Sequence, residues 1–198
     1  MMETFAIFTL GCKVNQYESQ QIRQLLETFG LAPVDLAQGP QLVLINTCCV
    51  THTASAKSRH LIRQAQKHHP QAVVVCGCLP ATETDELRAV GENVHVVNDR
   101  RDLTATLDRL VHAESTTPDS QHPKHPEDTA IRPQNGPKVK RKKDLCPPEE
   151  LPSLTSFQGQ TRAFLKIQDG CDSSCRYCII PTVRPLVRFK IPDEILAE

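Results

Sequence analysis

Four short apolar runs punctuate the first 113 residues, and a stretch with helical periodicity follows each. "TFAIFTLG" opens at Thr4 and ends at Gly11, "LVLINT" fills 42–47, "AVVVCG" 72–77 and "VHVV" 94–97. After the first run, Ile22, Leu25, Leu26 and Phe29 recur at i, i+3, i+4 and i+7, and Gly30 stops the pattern. Apolar residues so spaced share one face of a helix. A second helix is expected from about Thr53 to His69, closed by Pro70. Thr82, with Asp85 three residues on, resembles a capping arrangement for a short helix reaching Val90. Leu103, Leu107, Leu110 and Val111 mark a last helix. Strands that alternate with helices of this length imply a parallel sheet flanked by helices, so residues 1–113 are expected to form one α/β domain.

Residues 114–160 have a different character. Eight of the fifteen prolines fall there, with few apolar side chains and a basic run, "KVKRKK", at 138–143. Such a stretch buries too little apolar surface to offset its ordering entropy and is expected to be a flexible linker. Structure should resume in 161–198, where Ala163–Ile167 reads as a strand leading into a cysteine loop.

Nine cysteines set the chemistry. The opening "MMETFAIFTLGC" lacks a basic region followed by a long apolar core, and no stretch approaches the ~20 apolar residues of a membrane span. A cytoplasmic location, away from membranes, is the expectation. In a reducing compartment, closely spaced cysteines serve as metal ligands or redox groups more often than as disulfides. Lys+Arg and Asp+Glu balance at 23 each, so no global field draws the chain to a polyanion. Aromatic content of 4% disfavours a binder that stacks successive bases on aromatic platforms.

The cysteines fall into two sets. Cys12, Cys48 and Cys78 each follow an expected strand. In a parallel sheet all carboxyl ends lie on one edge, where ligands bind, so these thiols should meet at one rim beside helix N-termini. Burial as three small core residues is the plain alternative. Cys171, Cys175 and Cys178 form C-x₃-C-x₂-C in "GCDSSCRYC". Three thiolates in one loop can grip three corners of a cubane and leave one iron open, whereas zinc sites more often show two separated C-x₂-C pairs. Of the other cysteines, Cys49 should point away from Cys48, Cys76 should pack in the core, and Cys146 should be a free exposed thiol. The eight histidines form no paired ligand pattern near a cysteine pair, except that His52 is close to Cys48, and they read as surface or helix-face residues.

These motifs resemble a known family. C-x₃-C-x₂-C with Tyr177 before its last cysteine looks like the signature loop of radical S-adenosylmethionine enzymes. "LKIQDGCDSSCRYCIIP", "TLGCKVNQYES", "NTCCVT" and "GCLP" resemble its methylthiotransferase branch. Gly11-Cys12-Lys13-Val14-Asn15 is closer to the enzymes acting on threonylcarbamoyladenosine in tRNA than to those acting on isopentenyladenosine or a ribosomal protein. The resemblance implies two [4Fe–4S] clusters. Cys171, Cys175 and Cys178 would hold one, whose open iron chelates S-adenosylmethionine, with Tyr177 near that cofactor. Cys12, Cys48 and Cys78 would hold the other, which carries the sulfur to be inserted. Reductive cleavage of the sulfonium would give a deoxyadenosyl radical that abstracts hydrogen from C2 of the modified adenosine at tRNA position 37. A flavodoxin- or ferredoxin-type donor would supply electrons, and the basic run could add salt-sensitive affinity for the tRNA backbone.

The sequence also departs from the family. Cys49 stands where a small non-cysteine residue is usual. After "CIIP", Arg184 is followed by Pro185 instead of glycine, which fixes φ and removes an amide donor. Twenty residues follow Cys178, too few for a β/α barrel, which needs on the order of 200 residues. The segment after 160 is therefore expected to be the incomplete start of a radical-enzyme barrel, poorly packed and inactive alone, in a fragment or an interrupted reading frame. The competing readings are an isopentenyladenosine methylthiotransferase and a non-catalytic iron–sulfur or zinc module. Thiol–disulfide exchange at Cys175 and Cys178 lacks its usual sequence context.

Overall fold

A computed structural model describes residues 2–112, 151–158, 162 and 164–198. The expected α/β architecture, a parallel sheet flanked by helices, is present. Strands β1 (Thr4–Thr9), β2 (Ala32–Pro33), β3 (Leu42–Thr47), β4 (Ala72–Gly77) and β5 (Val94–Val96) form one sheet in the order β2-β1-β3-β4-β5. Every pairing in it is parallel. Helices α1 (Lys13–Thr28), α2 (His52–Gln66), α3 (Pro80–Arg88) and α4 (Arg101–His112) fill the connections and close the domain.

Alternate residues of the central strands feed two cores, because successive side chains of a strand point to opposite faces. Leu42, Leu44, Ala72, Val74 and Cys76 face α1 and α4, meeting Ile22, Leu25, Leu26, Leu103 and Leu107. Val43, Ile45, Val73 and Val75 face α2 and α3, meeting Ile62, Ala65 and Leu87. Both faces of the sheet are therefore dry, as parallel sheets require. Cutting one such side chain back to alanine, Ile45 for instance, should cost about 2–5 kcal/mol.

Several local expectations are corrected. The sequence pattern missed the two-residue strand β2 and the 3₁₀ turn Leu36–Gln38, both too short to show a period. Thr82 does not cap α3: its hydroxyl donates to the Leu79 carbonyl at 3.0 Å, and the helix already starts at Pro80. Pro80 suits that first turn because its missing amide would have had no helical partner. The helix then kinks at Glu83, whose φ and ψ of −138° and 34° are not helical.

The strand expected at Ala163–Ile167 is not formed over 164–167. A two-residue strand, β6 (Gln168–Asp169), pairs antiparallel with β7 (Arg188–Phe189) instead. Two short helices, α5 (Ile180–Val183) and α6 (Pro192–Ala197), complete this end of the chain. Leu165, Ile167, Leu186, Phe189 and Leu196 are exposed, so this segment lacks an apolar core of its own. No helix among the described residues is long and apolar enough to cross a membrane.

Most of the expected linker, with the basic run and Cys146, lies outside the described residues. Its stretch 151–158 lies along α1. Gln21 and Gln24 donate to the Pro152 and Ser153 carbonyls at 3.0 Å each, and Gln20 donates to the Gln158 carbonyl at 3.1 Å. Leu151 enters the α1/α4 core.

His95 on β5 gives the fold a pH dependence. Burial, with the Arg109 charge, holds its imidazole below the ordinary 6.5. A depressed imidazole favours the fold fully above the unfolded value, and that share is lost as pH falls towards the folded one, because the unfolded chain takes the proton first. In urea titrations between about pH 7 and about pH 5, wild type should therefore lose stability more steeply than His95→Gln. Parallel slopes would show that His95 contributes nothing.

Candidate metal centre

Strands β1, β3 and β4 are neighbours in the sheet, so the residues just after them share one edge. From β1 the chain runs out to one side, to β2, and from β3 it builds the other side. The crevice between β1 and β3 is thus a switch point of the topology, where ligands of open α/β sheets bind. Cys12 and Cys48 flank it, and Cys78 follows the next strand.

The loops are locked together by side chains behind them. Asn15 of α1 is fully buried, and its Nδ2 donates to the Leu10 and Thr47 carbonyls, each at 2.8 Å, tying the ends of β1 and β3. Thr47 continues the bracing toward β4. Its Oγ1 donates to the Cys76 carbonyl at 2.6 Å, and its own carbonyl accepts the Cys78 amide at 3.0 Å. Ser58 of α2 accepts the Cys48 amide at 3.3 Å. At Gly11, φ is +100° and an added Cβ would lie 2.7 Å from Cys48 Cβ and 2.8 Å from its Sγ. Glycine alone permits both that backbone and that approach.

The three thiols differ in access. Cys12 is exposed at the N-cap of α1, which has no side-chain cap, so first-turn amides face the same space. Cys48 and Cys78 are only 5% and 2% exposed. Burial pushes the Cys78 thiol up, while the Arg184 and Arg100 charges pull against it. Arg184 Nε donates to Cys78 Sγ at 3.4 Å. Cys49 and Cys76 behave as core residues. Burial, then the neighbouring Cys78 and Cys48, pushes Cys49 up to about 11. Burial, then Glu18, pushes Cys76 up to about 12.

Cys171, Cys175 and Cys178 lie in the loop between β6 and α5, with Cys175 exposed and the other two half-buried. The Cys178 amide donates to the Cys175 carbonyl at 3.2 Å. Tyr177 is 93% exposed, its ring in solvent. Behind this loop lies a cluster that the sequence reading did not single out. Arg184 donates to Glu18 Oε1 at 3.0 Å, Asp169 Oδ1 at 2.7 Å and Asn15 Oδ1 at 2.6 Å. Arg100 bridges Glu18 and Asp169 at 2.5 Å each, and Lys166 lies 3.8 Å from Glu18. Burial would raise Asp169, but the Arg100, Arg184 and Lys166 charges outweigh it and hold the carboxyl at about 2. A signal was present: Asn15 and Glu18 extend the Ile22/Leu25 stripe of α1 with polar residues, on a face that must be buried.

Among the described residues, no three His, Cys, Asp or Glu side chains come close enough to hold a single metal ion. A set made only of thiols suits zinc or an iron–sulfur cluster, and the thiolates of a cubane stand farther apart than the ligands of one ion. Cys12, Cys48 and Cys78, on one rim with the Gly11 cradle between two of them, fit such a group.

Residues 4–99 match the model of a family described as "Uncharacterized protein family UPF0004". A threonylcarbamoyladenosine tRNA methylthiotransferase of Bacillus subtilis is 36% identical over 100% of this chain and 40% of its own length. One from Chlamydia pneumoniae is 31% identical over 98% of the chain and 39% of its own length. A tRNA-2-methylthio-N(6)-dimethylallyladenosine synthase of Pelotomaculum thermopropionicum is 26% identical over 100% of the chain and 41% of its own length. The chain spans about two-fifths of the length of these curated relatives and is similar to an amino-terminal portion of the methylthiotransferases.

Gly11 and Gly30 separate backbone conformation from the rim contact. Both have positive φ, but nothing lies within 4 Å of a Cβ added at Gly30. Gly30→Ala should cost about 1 kcal/mol, and Gly11→Ala on the order of 3 kcal/mol because Cys48 must also move. Equal losses in chemical denaturation would mean that the two loops are not in contact.

Proposed function

Since the chain is kin by sequence to the tRNA methylthiotransferases, we propose that it takes part in C2 methylthiolation of N6-threonylcarbamoyladenosine at tRNA position 37. The observation that carries this reading is the delivery of Cys12, Cys48 and Cys78 to one sheet edge, with the Cys171 loop fastened beside them through Arg184. In this reading Cys12, Cys48 and Cys78 hold one [4Fe–4S] cluster and Cys171, Cys175 and Cys178 another. Once bound, these clusters and S-adenosylmethionine supply the radical and sulfur-transfer chemistry.

The protein's own part is placement. Asn15, Thr47 and Ser58 fix the three loops that present the rim thiols. Burial of Cys48 and Cys78 keeps water from two of the three sulfurs, and the Arg184 guanidinium offsets the cost of a thiolate at Cys78. Tyr177 and Cys175 both face solvent, so the second loop is accessible to S-adenosylmethionine in this reading. The partners are tRNA and a small electron-transfer protein. The greater identity to the threonylcarbamoyladenosine enzymes supports that substrate over the dimethylallyladenosine one.

After anaerobic reconstitution the chain should bind about eight irons and as many sulfides, and alanine at either cysteine trio should halve both. Zinc in place of iron would contradict the reading. For the substrate, this chain should replace the matching two-fifths of the Bacillus relative in a chimera. Mass spectrometry of tRNA nucleosides should then show the methylthio group on threonylcarbamoyladenosine. Its appearance on isopentenyladenosine alone would overturn the assignment.

A further inference from the structure

Arg184 touches both cysteine sets with different parts of one residue. Its carbonyl accepts the Cys171 amide at 3.2 Å, while its Nε donates to Cys78 Sγ at 3.4 Å. The other guanidinium nitrogens are held in between. Nη1 donates to Glu18 Oε1 and Asp169 Oδ1, and Nη2 to Asn15 Oδ1 and Glu18 Oε2, at 2.6–3.3 Å. A planar guanidinium with its hydrogens engaged and only 7% of its side chain exposed cannot turn freely. The direction of Nε toward the sulfur is therefore built in.

Three elements enforce this placement. Pro185 follows Arg184 and ends α5, because the residue before proline is kept out of the helical region, and Arg184 has φ −141° and ψ 63°. Gly170, at φ +75°, lets the chain before Cys171 pass against the Arg184 and Leu186 carbonyls, where a Cβ would collide. Asn15 completes the circuit, since the side chain that accepts from Arg184 also ties β1 to β3.

We propose that Arg184 is a positioning residue that sets the Cys171 loop in register with the Cys12/Cys48/Cys78 rim and tunes the rim centre by donating to the Cys78 sulfur. The proposal rests on the reading that this rim holds an iron–sulfur cluster. A positive donor at a ligand sulfur favours the reduced, more negative state, so it raises the reduction potential.

The test uses the chain with Cys171, Cys175 and Cys178 changed to Ser, so that only the rim centre is loaded. Iron and sulfide are counted, and the midpoint potential is measured by EPR-monitored titration with Arg184, Arg184→Lys and Arg184→Gln. All three should bind the same iron. The potential should move to more negative values in Arg184→Gln and lie between in Arg184→Lys, which keeps the charge but loses the fork. Equal potentials in iron-loaded variants would overturn the tuning role.

If the parent takes up no iron, the cluster reading fails, and hydrogen exchange in the metal-free chain decides the positioning role. There the Cys171 amide should exchange at least about tenfold faster in Arg184→Gln than in wild type, while β3 and α2 keep their protection. Unchanged exchange at Cys171 would overturn the positioning role as well.

Discussion

Three adjacent parallel strands must end on the same edge of their sheet, and the candidate centre depends on that constraint. β1, β3 and β4 are held in register by two dry cores, so the positions of Cys12, Cys48 and Cys78 follow from the packing of the strands they end. Nothing in the rim loops themselves is regular. Their shape comes from two glycines at positive φ, Gly11 and Gly77, and from polar side chains that satisfy the freed backbone groups. The rigid part sets where the thiols are, and the braced part sets how they face.

A buried ion cluster joins the carboxyl-terminal segment to this edge. Taking Glu18, Asp169 and Arg184 out of water costs several kcal/mol per ion unless each is paired. Here each is: Glu18 meets both arginines, and so does Asp169. Apolar burial is limited here: Ile179 and Val183 pack against the α2/α3 core, while Leu165, Ile167, Leu186, Phe189 and Leu196 stay exposed. Its attachment is therefore directional as well as apolar, and charge-assisted bonds of this kind fix geometry better than they add stability. Lys13 over the Phe164 ring, 4.2 Å from its centre, adds a second contact at the start of α1.

The apolar periods of the sequence are enough to place the strands and helices of the α/β domain, because each buried element must repeat its pattern to be buried at all. That Cys12, Cys48 and Cys78 follow neighbouring strands on one sheet edge is legible from that fold class alone. Two-residue strands such as β2 and β6 carry no period, and Ala163–Ile167 looked like a strand only because it is apolar. The pairing of Arg184 with Glu18 and Asp169 was not legible because it spans 166 and 15 residues, and no local spacing records it. The one trace was a polar continuation of the buried stripe of α1, at Asn15 and Glu18. Short-range motifs show which atoms could bind a metal, while Arg184, which donates to Cys78 Sγ, comes from 106 residues farther along the chain.

In the proposed reading, sheet topology and the braced rim loops together deliver three thiols able to share one cluster. Mössbauer spectroscopy tests it most directly, on the chain reconstituted with isotopically enriched iron after alanine replaces Cys171, Cys175 and Cys178. The account predicts the spectrum of a cubane with one iron distinct from the other three, as expected for three cysteine ligands and one open position. A single tetrahedral iron, or no bound iron, would contradict it.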